Sequence, residues 1–154
     1  MSISKYTTLE DALFSATAER YGIINAPEKT EHISNMRLFC EKIYDPLCDH
    51  YGLILPYTSF YRNKEVNKRV GGSSTKSQHM LGQAMDICPR GLNGLTNAKL
   101  FKYIKENLPF DQLIWEFGNS TEPGWVHVSY SVLHRRQVLK AYKVNNTTKY
   151  DPYD

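Results

Sequence analysis

The chain has 154 residues, 41% of them hydrophobic and 23% charged, enough apolar side chain for one buried core and too little length for two ordinary domains. Its net charge of +3 favours approach to an anionic polymer but is far from the concentrated basic patch of a nucleic-acid binder, so no nucleic-acid partner is expected. The cysteines Cys40, Cys48 and Cys88 are an odd number without a CxxC pair, which argues against a disulfide framework and for small buried thiols.

The N-terminus has no basic stretch followed by an apolar one, as a secretory signal needs, and no later run is long enough to span a bilayer. Synthesis in the cytoplasm without a signal peptide, and no stable membrane insertion, are therefore expected. Residues 8–21 read as a first helix, with Thr8 as N-cap, Leu9, Ala12, Leu13 and Ala16 in the apolar stripe, and Gly22 as its end. Residues 30–50 read as a longer helix in which Met36, Phe39, Ile43 and Leu47 recur near helical spacing and Pro46 is set to kink or split the pattern. His32 and His50 read as solvated helix histidines, since neither has a neighbouring ligand at metal spacing. Residues 53–61 change period and read as a strand bordered by Pro56 that delivers Arg62 to its end. Residues 63–70 read as a short helix closed by Gly71 and Gly72, followed by a polar loop.

That loop leads into Ser77-Gln-His-Met-Leu-Gly-Gln-Ala-Met-Asp86, which offers an imidazole at His79, a turn-permitting Gly82, and a carboxylate at Asp86 in a short strand. Imidazole nitrogen and carboxylate oxygen suit Zn2+, which keeps a position open for water when only three protein ligands are present. Cys88 is a conceivable fourth ligand, but a thiolate there would close the position that catalysis needs. Residues 96–107 read as a third helix stopped by Pro109. Residues 111–117 and 125–130 then read as a hairpin with Leu113, Trp115, Phe117, Val126 and Val128 facing the core. Its other face carries Glu116 and His127, and His127 is the best third ligand. If Glu116 pairs with Trp125, Glu116 is a same-face diagonal neighbour of His127, about 5.5–7 Å away. Residues 136–144 could add an edge strand, and 145–154 read as a loose tail beyond a single domain at 1–144. Early helices followed by strands on short connections predict an α+β fold, a small mainly antiparallel sheet with helices on one side and the metal site on the open face.

The motif Ser77-x-His-x-x-Gly-x-Ala-x-Asp86, the upstream Ser59-Phe-Tyr-Arg62, the run from Val66 to Gly72 and Trp125-Val-His127 together resemble the M15 family of zinc peptidases, which includes D-Ala-D-Ala carboxypeptidases and bacteriophage endolysins. The resemblance is strong over residues 55–130 and implies the same hedgehog/DD-peptidase-like fold. It implies zinc-dependent hydrolysis of an amide bond in the peptidoglycan stem peptide, by a D,D-carboxypeptidase or an endopeptidase, on a cell wall reached after release or delivery. It also implies that Arg62 stabilises charge on the substrate or the tetrahedral intermediate, a task suited to a forked, permanently charged guanidinium. Ser77 either hydrogen-bonds substrate or braces the loop. Some members place a glutamate three residues before the last histidine ligand, where this chain has Gly124. The base must then come from elsewhere, with Glu116 first and Glu122 in the turn second. The alternative is a noncatalytic zinc-containing domain that binds cell wall or serves as a phage structural part. A monomer is expected.

Overall fold

A computed structural model describes residues 1–71 and 73–154. The first predicted helix is two, α1 (Leu9–Leu13) and α2 (Ala16–Tyr21), because the chain turns extended at Phe14 and Ser15 restarts it. Thr8 caps α1 by accepting from the Asp11 N–H, Ser15 caps α2 by accepting from the Ala18 N–H, and Gly22 ends α2 in the left-handed region. The second predicted helix is not split, but it is not regular either. It runs as α3 (Thr30–Phe39), a π-helical turn (Cys40–Tyr44) and α4 (Asp45–Tyr51), ending at left-handed Gly52. Pro46 would normally lack one ladder bond and collide with the carbonyl four residues back; the wider π-turn just before it relieves both.

The predicted strand at 53–61 is only β1 (Tyr57–Ser59). Asn63 caps α5 (Lys64–Arg69), and the closure expected at Gly71 and Gly72 falls partly on Gly72, outside the described residues. A 3-10 turn (Gln78–Leu81), β2 (Ala84–Ile87), α6 (Asn97–Asn107, capped by Thr96), β3 (Gln112–Glu116) and β4 (Trp125–Ser129) follow. The predicted edge strand is β5 (Gln137–Val144), and it is not an edge: the supposed tail forms β6 (Thr147–Pro152) outside it. Val144 pairs with Thr147 across Asn145 and Asn146, both at positive φ, the two-residue turn that joins hairpin strands. That Asn-Asn pair was the available signal for β6. Tyr153 beyond it packs on Phe101 and Trp115, tying the C-terminal residues to the core.

The fold is α+β, with one sheet in the order β1-β2-β4-β3-β5-β6, antiparallel except where β5 runs parallel to β3. Alternation sends Met85, Ile87, Leu113, Trp115, Val126 and Val128 to one face, where Met36, Phe39, Ile43 and Leu47 of the long helical segment and Phe101 and Ile104 of α6 cover them. Phe117 is not among these. It sits just past β3 with φ 57°, which swings its ring onto Trp125 on the opposite face, 5.4 Å between centroids. His32 is also corrected: it is buried, and its Nδ1 lies 2.9 Å from the Tyr61 hydroxyl, whereas the exposed His50 stacks on Tyr103. No helix among the described residues is long and apolar enough to cross a membrane.

Candidate metal centre

On the face that the helices leave open, antiparallel pairing places Asp86 of β2 directly opposite His127 of β4. The 3-10 turn brings His79 to them. Ser77 caps that turn by accepting from the His79 N–H at 3.2 Å, which gives it a bracing contact. Left-handed Gly82 ends the turn against α3, where a Cβ would stand 2.5 Å from the His32 carbonyl oxygen. The Phe60-Tyr61-Arg62 segment and His79 hold each other: the Arg62 N–H donates to the His79 carbonyl at 3.1 Å, and His79 Nδ1 lies 2.7 Å from the Phe60 carbonyl. A carbonyl only accepts, so Nδ1 carries the proton and Nε2 presents a lone pair.

That lone pair faces Asp86 Oδ1 at 3.3 Å, and His127 Nδ1 approaches the same oxygen at 3.1 Å. Burial lowers the His79 pKa against the opposing pull of the Asp86 carboxylate. Burial alone would raise the Asp86 carboxyl, but the two imidazoles outweigh it and hold it well below the usual carboxylate range. The positive charge that holds this carboxylate ionised between two imidazole nitrogens can be supplied by a ring proton or by a metal cation standing among the three atoms. The separations fit: a tetrahedral ion with bonds of about 2.0–2.1 Å has ligand edges of about 3.3 Å. His79, Asp86 and His127 form the one group of three or more such side chains, among the described residues, whose donor atoms converge this way, all within 4.8 Å. Cys88 is turned away, its Sγ 3.3 Å from the Gly124 carbonyl oxygen and 3.0 Å from Arg90 Nε.

The β3–β4 hairpin pairs Glu116 with Trp125 and Ile114 with His127, so Glu116 is the diagonal neighbour of His127 on the same face. Burial pushes its carboxyl up to about 7, helped by Asp86 and opposed by His127 and Arg62. A carboxyl held near neutrality can take and return a proton at working pH. Glu122 is elsewhere: its carboxylate accepts from the Ala98 N–H in the first turn of α6. Arg62 reaches the site from beyond β1, with Nη2 3.4 Å from Ser77 Oγ and a buried Nε that has no partner among the described residues. His127 Nε2 is likewise buried without one.

These groups line a cleft of about 600 Å³ that crosses the sheet from Thr58 and Arg62 at one end to Leu139 and Tyr150 at the other. Tyr150 is the residue the sequence reading missed, because it lies in the run taken for a tail. Burial raises its pKa, and the Glu116 and Asp86 carboxylates raise it further. A family model described as Peptidase M15 matches residues 5–129, which takes in every residue lining the cleft except Arg135, Gln137, Leu139 and Tyr150. No curated protein and no solved structure matches the chain.

Proposed function

The chain belongs to the peptidase M15 family, and from that membership we propose that it is a zinc peptidase that hydrolyses an amide bond in the peptidoglycan stem peptide. The observation that carries this reading is the convergence of His79 Nε2, Asp86 Oδ1 and His127 Nδ1 beside a carboxyl poised near pH 7. Those three atoms would hold the zinc. Bound there, it supplies Lewis acidity, polarising the scissile carbonyl and lowering the pKa of water. Glu116 takes the proton of the attacking water on a carboxylate oxygen and returns it to the departing nitrogen, so one water is added across the broken bond. Arg62, whose Nε has no partner among the described residues, opposes the negative charge that develops on the substrate oxygen.

Release of new amino groups from purified peptidoglycan tests the activity, and mass spectrometry of the digest identifies the bond. Metal analysis should give about one zinc per chain, falling when His79, Asp86 or His127 is replaced by alanine. Undiminished zinc in all three variants sinks the ligand set. Bound zinc with no new amino groups points instead to a noncatalytic cell-wall-binding domain.

A further inference from the structure

The family match ends at residue 129, yet the cleft continues onto β5 and β6. Three registers carry its floor outward from the metal centre on the open face. His127, Ile114, Leu139 and Pro152 follow one line across β4, β3, β5 and β6. Beside it run Trp125, Glu116, Ala141 and Tyr150. On the other side Gln112 Nε2 donates to Gln137 Oε1 at 2.8 Å. The result is an apolar floor of Ile114 and Leu139 between an amide-lined flank and an aromatic one. Ala141 is small and buried, its partner Tyr150 lines the same cleft as Glu116, and Tyr150 itself is 48% exposed. From β4 to β6 there are three strand spacings, about 14 Å, and an extended peptide covers that distance in about four residues.

We propose that the β5–β6 hairpin is a distal substrate wall, on which Leu139 and Tyr150 hold the peptide residues three to four places from the scissile bond. This rests on the peptidase reading above, and it makes the enzyme one for extended peptides rather than for two-residue fragments. The floor fits small aliphatic side chains, and the Gln112–Gln137 flank fits a carboxamide or carboxylate. Continuity with the metal centre selects the occupant, since a chain whose amide lies at His127 and runs outward across the strands has this trough before it.

The test uses fragments of the peptidoglycan stem peptide, one of two residues and one of five, extended on one side of a chosen amide in one series and on the other in a second, with the series repeated for each amide of the stem. With zinc-loaded wild type, a five-residue peptide of one series should have the higher kcat/KM. Tyr150→Ala should raise KM for that peptide about tenfold, the size of one lost aromatic contact, with kcat within about twofold and the two-residue kinetics unchanged. Tyr150→Phe keeps the ring and should stay within about threefold of wild type, separating lost contact from lost fold. Binding of the five-residue peptide to the metal-free protein should also shift the NMR amide signals of Leu139, Ala141 and Tyr150, and the two-residue peptide should not. An active wild type with equal losses on both lengths, or with no hairpin shifts, overturns the wall and leaves the peptidase reading standing. A wild type that cleaves nothing while the hairpin signals shift overturns the peptidase reading and keeps the wall.

Discussion

Glu116 is the residue on which the proposed chemistry turns, because its surroundings push its carboxyl up to about 7 from its ordinary 4.5. Between those values the folded protein holds a proton that the unfolded chain releases. The stability this group contributes is therefore complete below about 4.5 and is lost as pH rises toward 7. Glu116→Gln removes that loss, so urea melts of the metal-free variant at pH 8 should show it more stable than wild type by up to about 3 kcal/mol. Its zinc should remain, and single-turnover cleavage should fall by about 10²–10⁴-fold. Glu122→Gln should behave in the opposite way, nearly intact in turnover and about 1 kcal/mol less stable, because Glu122 satisfies an N–H in the first turn of α6. If Glu122→Gln is the crippled variant, the base has been misassigned. Arg62→Lys should keep zinc and fold and lose turnover, since an ammonium cannot reproduce a forked contact; wild-type rates for Arg62→Ala on a stem peptide would remove its role. Asp86 and His127 were legible as candidate ligands on strands of readable period, and His79 from its place in the same short motif ahead of Gly82. Tyr150 was not, because an exposed tyrosine among polar residues carries no pattern that distinguishes a cleft wall from a tail.

At the scale of elements, the 3-10 turn that carries His79 depends on how closely it approaches α3. Gly82 has φ 73°, and an added Cβ would meet the His32 carbonyl oxygen at 2.5 Å and Met36 Cγ at 2.8 Å. Gly82→Ala should cost about 3 kcal/mol, combining left-handed strain with the collision, and should weaken zinc in a chelator competition by displacing His79. Gly22→Ala is the matched control, at φ 66° with nothing within 4 Å. It should cost about 1 kcal/mol and leave zinc affinity alone; equal effects of the two would show that close approach is not what matters. The turn glycine was readable from the motif, but its neighbour on α3 was not, because the contact joins segments 46–50 residues apart. Element ends were blurred for a related reason. The break at Phe14 and Ser15 interrupts an apolar stripe that continues through it, and the π-turn before Pro46 leaves the helical period almost unchanged.

For the molecule as a whole, helices before strands was enough to predict an α+β layer with an open face, since each class of element must bury one side. The parallel placement of β5 was beyond such a reading. It depends on buried Asp111, which accepts from the Arg135 backbone N–H at 2.8 Å and from its guanidinium, anchoring the crossover that leads into β5. Strand order also sets a sequence in time. The β5–β6 hairpin closes over two residues and can form early, but Asp86 and His127 are 41 residues apart and meet only when β2 finds β4. The proposed zinc ligands thus come together late in folding. In stopped-flow experiments zinc should slow unfolding while leaving the refolding rate nearly unchanged, making it a lock on the finished molecule rather than a template for its assembly. Refolding accelerated by zinc would place the β2–β4 pairing in the folding nucleus.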